Sequence, residues 1–279
     1  NGAEYILNGQ GLHPNFWRAP IDNDYGAGLA RKLGVWKEAS YQDIMAVSFN
    51  ARNGEVTCTY QFPQTDATWD ITYKIYTNGV IKVDNRFVAA NEKTPMIPRI
   101  GLRMQMPETF TTLTYYGRGP EENYRDRRTS QFFGEYSTPI KKMYEPYIRP
   151  QENNHRTDIY WCALTNKSGA GLLLVADRTF EMNASNYPLE TLDSGDDLHN
   201  AAPRTAQTNH RHLTDPKPEK MVDLFIDYRM MGVGGDNSWG ALAHEPYLIR
   251  TGAQNAVEYG FTLVPFGRKT DFRNLIYQY

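Results

Sequence analysis

Along most of the chain, apolar positions recur at every second residue. Val56, Cys58, Tyr60 and Phe62 alternate with polar neighbours over 55–62, and Trp69, Ile71, Tyr73 and Ile75 do so over 68–77. Asn78-Gly79 then joins that run to another over 80–88, a strong signal for a two-residue hairpin. Ile100, Leu102, Met104 and Met106 mark a further strand, and 158–164 and 171–176 flank the turn Asn166-Lys167-Ser168-Gly169. Late in the chain Val222, Leu224, Ile226 and Tyr228 alternate, then Val257, Tyr259, Phe261 and Leu263. A period of two predicts antiparallel sheets with one packed face and one solvated or functional face. Helical spacing occurs once, where Leu29, Leu33 and Trp36 predict a short helix over 27–39 near the N-terminus. With no βαβ rhythm and no internal repeat, the pattern predicts an all-β fold, a large sandwich.

Three stretches fall outside the alternation. Residues 1–26 are rich in Gly, Asn, Pro and Asp and read as strand fragments and loop, while 115–150 and 189–218 are long and irregular. Long loops in a compact fold are usually functional or disordered. A shorter loop, Gly232-Val233-Gly234-Gly235-Asp236-Asn237-Ser238-Trp239, has three glycines to turn the backbone sharply. Asp236, Asn237 and Ser238 are expected to bond the turn's own N–H groups. Trp239 is then either an anchor folded back on the core or a platform for a ligand with an apolar face, such as the C–H side of a sugar. No strand–GxGxxG–helix or GxxxxGK[ST] context surrounds the glycines, which excludes a nucleotide cradle.

Other polar groups carry weaker signals. Asp22, Asn23 and Asp24 lack the spacing and closing Glu of a calcium loop and read as turn and cap residues before the helix. Glu121, Glu122 and Asp126 with Arg118, Arg125, Arg127 and Arg128 form either an ion-pair network ordering a loop or a surface recognising a hydroxylated ligand. His210 and His212 share a face if extended, but with Asp215 as the nearby acid they make a weak case for zinc. A formal charge of −2, a pI near 6.3 and the lack of a basic run argue against nucleic acid or an anionic membrane as main partner. No apolar run is long enough to span a bilayer. Cys58 and Cys162 have neither metal-site nor CxxC spacing and read as buried free thiols. The chain opens Asn1-Gly2 with no signal-peptide pattern, and is expected to be a piece of a longer protein, leaving its compartment unknown.

Five motifs occur in order: NFWRAPIDND at 15–24, YGRGPEENYRDR at 116–127, YEPYIRPQEN at 144–153, HRHL at 210–213 and GVGGDNSW at 232–239. Together they resemble the C-terminal small-chain domain of β-galactosidases of glycoside hydrolase family 2, over nearly the whole chain. The resemblance implies a single domain over 1–279 with a galactose-mutarotase-like β-supersandwich fold. It also implies that the nucleophile and acid glutamates lie on a catalytic TIM barrel elsewhere in the same chain, beside further sandwich domains. The expected role is to close part of the active-site mouth, with Trp239 stacking on the sugar and Asp236 organising its loop. Asn123, Tyr124, Arg118, Glu152 and His210 are the further candidate sugar contacts. No cofactor is expected in this stretch, although Mg or Na could serve the whole enzyme; the partners are a β-galactoside and the other domains, with a homo-oligomer open. Only 14 residues precede the first motif, where the family usually has further strands, so an open sheet edge is expected. Two other readings stand beside this one. A mutarotase-like epimerase would need His210 or His212 to face Glu152 across a cleft, and a carbohydrate-binding or structural module would use Trp239 for packing alone.

Overall fold

A computed structural model describes residues 4–41, 48–194, 210, 212–237, 240–252 and 256–279. Twelve strands are described: β1 His13–Asn15, β2 Ser48–Arg52, β3 Glu55–Phe62, β4 Ala67–Ile75, β5 Ile81–Ala89, β6 Arg99–Pro107, β7 Phe110–Gly119, β8 Phe132–Pro139, β9 Arg156–Asn166, β10 Gly171–Ser185, β11 Met221–Met230 and β12 Val257–Phe266. All pair antiparallel in one sheet ordered β1-β6-β11-β10-β12-β5-β4-β3-β2, from which a branch β10-β9-β7-β8 departs. The branch point is β10. Its first half lies between β12 and β9, and its second half pairs with β11. The all-β, antiparallel architecture expected from the period-two pattern is therefore observed.

Alternation explains the core. Trp69 and Ile71 of β4, Val83 and Phe87 of β5, Leu102 and Met106 of β6, and Phe261 of β12 are fully or almost fully buried. Phe16 sits at the centre of an aromatic cluster with Trp36, Phe62, Trp69 and Phe87, with ring centroids 4.8–5.4 Å away. Such pairs contribute about 0.5–1.5 kcal/mol each beyond the area they bury. Asn78-Gly79 makes the expected tight turn between β4 and β5, with Gly79 at φ +85° and the Asn78 side chain accepting the Val80 N–H. Both cysteines are free thiols, Cys162 buried and Cys58 half-buried.

Two elements depart from the sequence pattern. The helical segment begins earlier than 27–39 and is broken into α1 Asp22–Gly26, α2 Leu29–Lys32 and α3 Gly34–Tyr41. Gly28, at φ +66°, interrupts it in the left-handed region that other residues avoid, and Asp24 starts it by accepting the Ile21 N–H. Two further single-turn helices, α4 Leu189–Leu192 and α5 Arg273–Ile276, lie later in the chain. The stretch 115–150 is also less irregular than expected, since it contains the end of β7 and the whole of β8.

The second face of β6, β10 and β11 is not solvated as simple alternation implies. It is buried and carries ion pairs. Arg99 bonds Asp227 at 2.7 Å, and Arg103 grips Asp223 at 2.8 Å and Glu190 of α4. Lys37 of α3 meets Asp193 at 2.6 Å, and the Trp17 indole N–H donates to the same carboxylate. Pairs this deep contribute little net stability, but losing one partner leaves an uncompensated charge. They fix how the helices and long loops lie over the sheet.

Candidate functional site

The covering loops meet at a cleft of about 250 Å³. Ile21, Asp22 and Asn23 line it from the first motif, Tyr124 and Arg127 from the second, Tyr147, Gln151 and Glu152 from the third, and Val233 from the glycine loop. Four segments far apart in sequence thus share one depression.

Each loop is held by its neighbours. Arg18 is buried and reaches Asp24 through Nε and Nη2, at 3.0 and 2.8 Å, while Nη1 donates to the Met231 carbonyl and Nη2 also to that of Gly232. Asn23 donates to the Val233 carbonyl at 3.0 Å. From the opposite side the Asp126 carboxylate accepts the N–H groups of Val233 and Gly234, at 3.0 and 2.8 Å. Bonds to a charged acceptor contribute roughly 1.5–3 kcal/mol each. A Cβ on Gly232 would stand 2.6 Å from Asp126 and 2.8 Å from the Ala243 methyl, so glycine alone fits this approach. The glycine loop is therefore anchored by Asp126, more than a hundred residues away, rather than by its own polar side chains. Asp236 faces His244, whose Nε2 lies 2.6 Å from the carboxylate, and the Asn237 side chain accepts the Ala241 N–H.

The cleft floor belongs to a buried polar chain. Glu122 accepts the Asn154 N–H at 2.6 Å and the hydroxyls of Tyr124 and Tyr147. Burial, and then the Glu122 charge, push the Tyr124 phenol far up; the Tyr147 phenol is raised by burial and by the same carboxylate. The Tyr124 ring stacks on His155 at 5.5 Å. His155 bonds Glu181 at 3.0 Å and the Asn183 oxygen at 2.7 Å, and the Asn183 amide donates to Glu152 at 2.8 Å. Burial raises the Glu152 carboxyl, opposed by Arg99, His155 and Arg18. Burial also acts to raise Glu181, but the His155 bond and charge and Arg125 outweigh it and hold the group below the usual carboxylate range.

The wall above that floor offers a carboxylate, two carboxamides, a phenol and an exposed guanidinium in close order: Asp22, Asn23, Gln151, Tyr147 and Arg127. Such a set donates to and accepts from several hydroxyl groups at once. Its two lining carboxylates are already engaged, Asp22 with the Gln151 amide at 3.1 Å and Glu152 with Asn183 and, at 3.7 Å, Arg99. The arrangement suits recognition of a polyol better than bond cleavage.

Among the residues singled out from sequence, Tyr124 and Glu152 line the cleft. Asn123 lies beneath it, fully buried, its side chain tied to Thr157 and to the carbonyls of Arg118 and Glu121. Asp236 stands on the loop that contributes Val233. Arg118 is directed elsewhere, to Asp158 at 2.7 Å and over the Phe133 ring. His210 bonds the Thr191 carbonyl, the His212 backbone N–H donates to Asp215, and neither histidine lines the cleft with Glu152. Trp239 and Ser238 lie outside the described residues. Arg127 stands out in the sequence only as one of the mixed-charge group at 118–128, and Tyr147 and Gln151 only as members of the third motif; nothing local distinguishes them from their neighbours. Among the described residues no three His, Cys, Asp or Glu side chains gather as a metal site.

Comparison with known proteins bears on this geometry. The family model described as "Beta galactosidase small chain" matches residues 1–263. The chain is 34% identical over 262 residues to a β-galactosidase of Priestia megaterium, covering 93% of this chain and 24% of that enzyme. It is 30% identical over 258 residues to a β-galactosidase of Streptococcus thermophilus, covering 89% and 23%. It thus spans about a quarter of the length of the curated relatives it matches. Among solved structures, a GalM/aldose epimerase homologue from C. elegans aligns over 81% of this chain and 69% of its own, at 10% identity and a TM-score of 0.41.

Proposed function

The chain belongs to the β-galactosidase small-chain family, and on that premise we propose that it is the non-catalytic, sugar-contacting part of a β-galactosidase. The observation that carries this reading is the convergence of four of the five motif segments on one hydroxyl-matching cleft. In the full-length protein the cleft faces the sugar, with Arg127, Tyr147 and Gln151 as hydrogen-bonding groups, and Trp239 serves as an apolar platform for the same sugar. Asn123 and Asp126 position the wall, and the bond-breaking carboxylates come from the barrel of the same chain. The epimerase reading loses its support because neither His210 nor His212, the histidines it needs, lines the cleft with Glu152.

Two measurements test this together. Retaining hydrolysis needs two carboxylates about 5–5.5 Å apart, so residues 1–279 alone should not cleave a nitrophenyl galactoside. In the full-length enzyme Arg127→Gln should raise KM and galactose inhibition constants about tenfold, near 1.4 kcal/mol, with kcat little changed. Arg127 is exposed, so the melting temperature should hold. Turnover by the isolated chain, or unchanged sugar affinity in the variant, would sink the proposal.

A further inference from the structure

A groove of about 990 Å³, several times the volume of the cleft, lies on the polar face of β4, β5 and β12. Asp70 and Thr72 of β4, Asp84 and Arg86 of β5, and Glu258 of β12 face into it, while the alternate positions Ile71, Val83 and Phe261 point to the core. At its other side the regular pleat fails in three strands. The β10 register against β9 shifts between Val175 and Phe180, and the consecutive residues Asp177, Arg178 and Thr179 all line the groove. The β11 register against β6 shifts between Asp227 and Arg229, so that Tyr228 and Arg229 both line it as neighbours. On β9, Asp158 is held at φ +57°. Bulges re-aim side chains and collect, like strained backbone, where a strand serves a function.

The charges of the groove are unevenly matched. Asp84 and Asp177 share Lys82, Glu258 meets Arg86 at 3.6 Å, and Asp158 takes both Arg118 and Arg128. Arg125 pairs with Glu181 at 3.1 Å. Arg229 has no carboxylate partner among the described residues; its Nε is buried without an acceptor, as is that of Arg125. Burial and the charges of Arg125 and Arg128 lower the proton affinity of Arg229, the mark of a crowded cation. The Tyr228 ring lies beside it, 5.3 Å from the guanidinium.

We propose that this groove binds a saccharide bearing one carboxylate, a uronic-acid residue, with the carboxylate at Arg229 and Arg125 and the sugar ring along Tyr228. A planar monoanion matches guanidinium forks. A dianion would meet the five lining carboxylates and be repelled. The volume far exceeds that of a simple ion, and the rest of the lining consists of groups that bond hydroxyls.

The test is calorimetric titration of the full-length protein with galacturonate, galactose and inorganic sulfate. Galacturonate should bind with saturating galactose present, and weaken as salt rises. Arg229→Gln should weaken it at least tenfold without lowering the melting temperature, because the residue it replaces is a crowded, unmatched cation. Arg178→Gln, at an exposed position, should weaken it less and serves if the first variant fails to fold. Sulfate binding as tightly as galacturonate would reduce the groove to a plain anion site and overturn the sugar assignment. Displacement of galacturonate by galactose, no binding at all, or binding unchanged in both variants would each overturn the proposal.

Discussion

At the residue scale, two histidines show how placement decides role. His155 is buried between Glu181 and Asn183 and serves the cleft floor, whereas His244 is solvent-exposed and faces Asp236 of the glycine loop. The hydrogen bond and charge of Asp236 raise the His244 pKa above its ordinary value near 6.5. A raised histidine contributes its pairing fully below pH 6.5 and loses it as pH climbs through the shifted value. An NMR titration of the His244 ring should therefore show a midpoint above 6.5 in the wild type and a return toward it in Asp236→Asn. Identical midpoints would mean that the pair does not form in solution.

At the scale of elements, the glycine loop depends on a close approach more than on its own turn chemistry. Gly232→Ala would drive a methyl against Asp126 and Ala243, and the two N–H bonds to Asp126 would stretch or break. A loss of about 1–3 kcal/mol in stability is expected, with weaker sugar affinity in the full-length enzyme; an unchanged melting temperature and KM would show that the loop adapts freely. Sequence alone located this loop but not its anchor, because alternation and turn signals are local and Asp126 is remote. The strands β3, β4, β5, β6, β11 and β12 were legible because one face of each is apolar. β8 was not: Phe132 is 72% exposed and Phe133 45%, so no buried face imposes a rhythm. The second half of β10 was hidden by its own irregularity at 177–179, and the helical segment was misplaced because Gly28 divides it and Asp24 starts it early. Four motifs pointed to the cleft, yet the residues on its wall follow from how the loops cross.

At the scale of the molecule, the cleft and the groove are linked through the fold's interior. Arg125 lines the groove and bonds Glu181, which bonds His155, and Asn183 carries the chain on to Glu152 in the cleft. Both sites thus draw on one buried set of charges, held by strands on either side of β10. That strand is the hinge of the whole topology, paired with β9, β11 and β12, and its double membership bears on how the chain comes apart. Neither the main run of the sheet nor its β9-β7-β8 branch can melt while the other stays whole, since each would have to surrender the strand they share. Unfolding of this region should therefore be a single cooperative event. Amide exchange in the full-length protein should be slowest, and uniform in free energy, at 172–175 and 181–184, with β2 and β8 opening first. Two separate exchange classes for the two halves of β10 would contradict it. Because two of the three pairings β10 makes, with β11 and β12, join distant parts of the sequence, the barrier to completing it should be high and its assembly slow. The same strand that unites the main sheet and its branch would then set the lifetime of the folded state.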